Sequence, residues 1–275
     1  MSGILLAVYS QNKNKKRQSL IMSAEIISPS SSYYKRSERC NKLATIFLWV
    51  ASIIIAAGLL LPGCIINHPN WYYMKVIQIL SVVAYQLFAL ASAILNFRGR
   101  KVTINDLVDN AFGSSHSDKH SVGYYDNDDA NEGIVRYYLN SAESCFFSMR
   151  EMEYMQKTVY SKSALLLLLI GCALFFRNTD YILAILQITL LFTIIISTVK
   201  FVVVLNELHR LFDRMDTALT KKCNKQQVLT DAINYSLEYE TIMAWFSTKL
   251  PDSVYFANNE SLTLEWNNRK LKYKI

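Results

Sequence analysis

Four apolar runs constrain this chain more than any other feature of it. Residues 43–61 form a stretch of 19 without a charged side chain, and residues 76–97 a stretch of 22. A helix rises about 1.5 Å per residue, so each run reaches across the ~30 Å hydrocarbon core of a bilayer. The third run, 158–176, carries Lys162 near its start, where a long side chain can reach back to the interface. The fourth, 181–205, carries Lys200. Only residues 177–180 separate the third run from the fourth, which makes a tight helical hairpin of the two. The alternative for this pair is a buried soluble hairpin, but the unbroken leucines at 165–169 leave no polar face wide enough for water. The expectation is an all-α integral membrane protein with four transmembrane helices in two hairpins and helical cytoplasmic extensions.

The distribution of charge orients the hairpins. Formal net charge is +7, and residues 1–42 hold eight Lys and Arg against Glu25 and Glu38. Lys35, Arg36, Arg39 and Lys42 precede the first run, and Arg98, Arg100 and Lys101 follow the second. Lys157 and Lys162 open the third, and Arg210 and Arg214 follow the fourth. The opposite side offers only Lys75 and Arg177. Cytoplasmic flanks carry the excess of Lys and Arg, so both termini and the long central loop are expected in the cytoplasm. The resulting division is an arm at 1–42, a hairpin at 43–97, a loop at 98–157, a second hairpin at 158–205 and a C-terminal region at 206–275. The basic cluster Lys13, Lys15, Lys16 and Arg17 reads equally as an anionic-lipid contact and as a plain determinant of orientation.

Outside the runs, residues 28–34 read as a linker, 102–112 as a short helix and 113–132 as a polar loop. Ile134, Tyr138, Ala142, Cys145, Met149 and Met152 recur at helical spacing, so residues 133–155 form an amphipathic helix running into the third run. Leu205, Leu208, Leu211, Phe212, Met215 and Leu219 continue the fourth in the same way. Residues 230–249 read as a last helix, stopped by Pro251.

Catalytic chemistry finds no footing. His116 and His120 have a metal-ligand spacing only if helical, and they lie in a Ser/Gly/Asp stretch without further ligands. Asp126, Asp128, Asp129 and Glu132 lack the glycine and the distant glutamate of a calcium loop. Five cysteines, an odd number without a CxxC, read as free thiols. No enzyme, metal or cofactor is expected, and no basic patch with interleaved aromatics points to a nucleic acid polymer.

Polar residues inside the runs carry more information. Gln78, Ser81, Tyr85 and Ser92 share one face of the second run; Thr189, Thr193, Ser197 and Lys200 share one face of the fourth. Polar groups at membrane depth face a neighbouring helix or water. Both readings stand: hydrogen bonding within a four-helix bundle, or a stripe that lines a pore on assembly.

Several short segments carry a family resemblance. Gln11-Asn12 is followed by Tyr33-Tyr34-Lys35-Arg36 ahead of the first hairpin, and VTINDLVDNAFG stands at 102–113. NSAESCFF at 140–147 leads toward the second hairpin, and LPDSVY follows at 250–255. This order resembles the S-4TM pore-forming effectors, bacterial four-transmembrane proteins associated with cyclic-oligonucleotide synthases. Where that family often has Trp-containing motifs in the loop, this chain has Gly123-Tyr-Tyr-Asp. The resemblance implies a multi-pass protein of the bacterial inner membrane, acting in antiphage defence. A cyclic oligonucleotide or a partner protein would activate it, and a homo-oligomer in the lipid bilayer would then permeabilise the membrane. The alternative is a non-conducting scaffold or signalling subunit that binds partners through its cytoplasmic helices.

Overall fold

The computed structural model describes residues 29–60, 71–118, 120–121, 124–125, 127, 130–176, 181–221, 224–246 and 252–274. The basic cluster at 13–17, residues 61–70 and 177–180, and Pro251 lie outside the described residues. All regular structure among the described residues is helical. The order is α1 (Ser31–Leu60), α2 (Trp71–Phe112), α3 (Ile134–Phe176), α4 (Tyr181–Thr220), α5 (Lys225–Phe246) and α6 (Asp252–Lys270).

Helices α2, α3 and α4 run for 42, 43 and 40 residues. At about 1.5 Å per residue each is roughly 60–65 Å long, twice the hydrocarbon thickness. Each therefore has an apolar half and a half that stands clear of it. The short helix expected at 102–112 is instead the second half of α2, because nothing after Phe97 breaks the helix. Gly99 would be the candidate, but it serves packing: a Cβ there would meet the Tyr34 ring of α1 at 2.8 Å. Gly113 ends α2 in the left-handed region, φ 64°, with its N–H on the Asp109 carbonyl at 2.9 Å.

Three stretches, Ser31–Ala57, Trp71–Phe112 and Ile188–Thr220, are long and apolar enough to cross a membrane. Their outer faces are apolar as well, as lipid contact requires. Leu80, Leu87, Leu90 and Phe97 on α2 and Phe192, Ile196 and Val199 on α4 are exposed, the reverse of a soluble helix. The chain is a multi-pass membrane protein. The run at 158–176 is helical too, as the last part of α3, but is not among those three stretches.

Packing divides the molecule in two. In the apolar half a small cluster joins Leu48 and Ile55 of α1, Leu166 and Ile170 of α3, and Leu190 and Ile194 of α4. Beyond it lies a much larger core shared by the first part of α3, the second part of α4, α5 and α6. Tyr138, Phe146, Met152, Leu208, Leu211, Phe212, Met215, Leu219 and Trp266 are almost wholly buried in it, as the helical spacing of those on α3 and α4 required. Asn224 caps α5 by accepting from the Gln227 N–H at 2.8 Å, so that helix starts at Lys225 rather than residue 230.

α6 has no counterpart in the sequence-based expectation. It is polar, and it docks through Leu262 and Trp266, one turn apart. Residues 31–34, expected as linker, are the first turn of α1, closed by the Tyr33 and Tyr34 N–H groups on the Ser30 carbonyl.

The start of α1 and the end of the chain lie at the same end of the molecule. Tyr34 of α1 meets Thr103 of α2 at 3.1 Å, the Gly133 N–H before α3 bonds the Ala111 carbonyl at 2.7 Å, and the Lys274 N–H bonds Leu219 of α4 at 3.0 Å.

Candidate functional site

The two polar stripes are placed differently. On α2, Gln78, Ser81 and Ser92 are buried and Tyr85 packs against the small apolar cluster. Ser92 closes a reciprocal clasp with Ser37 of α1. The hydroxyls stand 2.8 Å apart, Ser37 Oγ donates to the Ser92 carbonyl at 3.0 Å, and Ser92 Oγ lies 3.1 Å from the Ser37 carbonyl. This half of the α2 stripe joins two helices. Gln78 Nε2 is buried without a hydrogen-bond partner among the described residues.

On α4, Thr189 and Ser197 are exposed and Thr193 is half-buried. Thr193 Oγ1 donates to the Thr189 carbonyl at 2.9 Å and lies 3.4 Å from Gln86 Nε2 of α2. A threonine bonding its own helix needs no partner from a neighbour. A polar contact between α3 and α4 within the apolar half comes instead from Thr198, whose hydroxyl is 2.8 Å from Ser163. Thr198 is off the predicted stripe and was not singled out by the sequence. Gln78, Ser81 and Ser92 of the α2 stripe thus face in, whereas on the α4 stripe Thr189 and Ser197 are exposed and Thr193 and Lys200 half-buried. At its foot the Lys200 ammonium stands over the Trp245 ring of α5, 5.6 Å from its centre.

A second polar assembly, which sequence reasoning missed, lies where the apolar half meets the larger core. Arg100 follows the last residue of the second run by three positions. Its Nε donates to Glu240 Oε2 of α5 at 2.7 Å, and its guanidinium lies 4.8 Å from the centre of the Tyr239 ring. Both charged side chains are only 17% exposed, so the pair is held out of water. Burial pushes the Glu240 carboxyl up, and Arg100 beside it offsets part of that push. Tyr239 donates to the Ser144 carbonyl of α3 at 3.1 Å, and its oxygen stands 2.9 Å from Ser148 Oγ. Its phenol is pushed up to about 12 by burial first. Ser236 Oγ donates to Ser141 Oγ at 2.8 Å. Tyr34, Thr103, Arg100, Glu240, Tyr239 and Ser148 so form a belt through α1, α2, α5 and α3. Arg100 and Glu240 are 140 residues apart, and no local spacing could have paired them.

The connection after α2 is folded back by two carboxylates one turn apart. Asp109 accepts from the N–H groups of His116 and Ser117, at 2.8 and 2.7 Å, and from Ser114 Oγ at 2.8 Å. Asp106 accepts from the Ser121 N–H at 2.8 Å. His116 and His120 are exposed, and among the described residues no group of side chains could hold a metal ion. Further along, Asn127 Nδ2 donates to Asn140 and Glu143 of α3 at 2.9 and 2.7 Å. A cavity of about 520 Å³ lies beyond, lined by Asn131, Glu132, Val135, Leu139, Lys270 and Tyr273. Glu132 offsets Lys270 there, so charge does not mark it for an anion.

Buried hydrogen bonds tie the feet of the long helices together, while Thr189 and Ser197 of α4 are exposed. Comparison with protein-family models, curated proteins and solved structures finds no match for the chain, so the residues themselves carry its functional reading.

Proposed function

We propose that the chain is a pore-forming membrane effector in which four helices cross the bilayer and the polar face of α4 lines the ion path of a homo-oligomer. The observation that carries this is the outward placement of Thr189 and Ser197, in contrast to the buried serines of α2. Two further points support it. The start of α1 and the last described residues share one end of the molecule, as an even number of crossings would place them. The end of α3 supplies the fourth, since Leu166 and Ile170 pack with α1 and α4 in the apolar cluster. Those same side chains fill the protomer's centre, so an aqueous path needs several copies, and closed rings form by cyclic symmetry. The setting follows from the family resemblance alone: the bacterial inner membrane, both termini cytoplasmic, activation by a cyclic oligonucleotide or a partner protein during antiphage defence.

The test is ion flux through liposomes holding the activated protein. Thr193→Leu with Ser197→Leu should insert normally and lower flux at least tenfold, since an apolar constriction closes a pore by dewetting. Ile195→Leu conserves volume and should conduct like the parent. Lys200→Ala should move the reversal potential toward cations. Parent-like flux in the double leucine variant would remove α4 from the pore.

One observation favours a second reading. Leu229, Ile233 and Leu237 form an exposed apolar strip on α5, outside the apolar runs, where a partner protein could dock. If the parent passes no ions with its activator bound, the non-conducting scaffold replaces the pore.

A further inference from the structure

Two cations mark the limit of the apolar half, and α5 holds both. Arg100 stands just past the second run, gripped by Glu240 and covered by Tyr239. Lys200 stands near the end of the fourth, over Trp245. The three gripping residues fall within two turns of one helix. Resting on the pore reading above, we propose that α5 is a closing strap: it parks Arg100 and Lys200 in the resting protomer and releases both when the pore opens.

The way α5 is held suits it to that task. It carries no apolar run, yet it touches the feet of three helices that do. It reaches α2 through Glu240, α3 through Tyr239 and Ser236, and α4 through Trp245 and the Glu238–Arg214 ion pair. Beside these polar contacts, Val228, Ala232, Tyr239 and Phe246 seat the helix in the larger core, so release slides it on that core rather than detaching it. The helix also keeps Leu229, Ile233 and Leu237 on its open side, so only part of its apolar surface anchors it.

Both charged side chains of the Arg100–Glu240 pair are held out of water, and release returns to them the hydration that burial costs, which keeps the net cost of opening small. Release would put a cation from each of two helices back at the membrane boundary in every protomer. Around a ring, those charges would repel one another and favour the widened state.

The experiment uses the full chain in liposomes without activator and reads two quantities, amide hydrogen exchange along α5 and ion flux. Glu240→Gln with Trp245→Leu should speed exchange of the α5 amides at least tenfold and raise resting flux at least tenfold. The charge-swapped pair Arg100→Glu with Glu240→Arg should bring both back toward the parent, which separates loss of the grip from general misfolding. Unchanged α5 exchange in the first variant would overturn the strap. Faster exchange with parent-like resting flux, in a protein that still opens when activated, would overturn it as well. If the parent never conducts, the pore reading falls, and the exchange result with its rescue still decides whether α5 is held by these contacts.

Discussion

The two halves of the long helices are held together by different physics. In the larger core, apolar side chains from α3, α4, α5 and α6 leave water together, and Trp266 sits against Phe146 and Tyr273 with ring centres 5.9 Å from each. Burial there gains the full transfer free energy of each side chain. In the apolar half the cluster is small, and the outer faces of α2 and α4 are covered with leucine, isoleucine and phenylalanine. Lipid is as apolar as those side chains, so packing and a few hydrogen bonds must hold the helices. One continuous helix thus belongs to two solvents. Unbroken helical backbone and the belt around Arg100 join the core to the apolar half.

That contrast predicts a graded set of losses. The largest effect should come from Trp266→Ala, which leaves a cavity in the aqueous core and should cost about 3–5 kcal/mol in chemical unfolding of detergent-solubilised protein. Leu166→Ala should cost less, about 1–2 kcal/mol, because the transfer contribution drops out in lipid and the cavity contribution remains. Equal losses in the two variants would mean that both halves face the same solvent. Ser92→Ala should be the mildest, near ~0.6 kcal/mol, the usual worth of a hydrogen bond between membrane helices. A double-mutant cycle with Ser37→Ala should return a coupling of that same size, and a coupling of zero would break the clasp.

Helix existence was largely legible in the sequence, and helix continuity was not. The heptad-like run from Leu205 to Leu219 and the spacing from Tyr138 to Met152 announced buried faces, and the structure buries them. The junction at Arg98–Lys101 looked like an end because charge begins there. Helical backbone bonds are indifferent to whether water or lipid surrounds them, so α2 runs on, and Tyr34 fills the space beside Gly99. α6 was hidden by its polarity: Leu262 and Trp266 are its fully buried apolar side chains among the described residues, a periodicity too sparse to stand out. Asn224 was a readable start signal for α5 and was passed over. Both polar stripes were visible as helical faces, but their directions depend on neighbours far away in sequence. Ser92 meets Ser37 across 55 residues, and Glu240 finds Arg100 across 140.

The central claim is that the long helices cross a bilayer four times, with every foot on one side. Single-cysteine accessibility in intact cells tests it most directly, in a background with the other cysteines replaced by serine. Cys64, between the first two runs in the sequence, should react with a membrane-impermeant maleimide added outside. Ser115→Cys, on the exposed connection after α2, should react only once the membrane is permeabilised. Labelling of both positions from outside, or of neither until permeabilisation, would contradict the four-crossing arrangement.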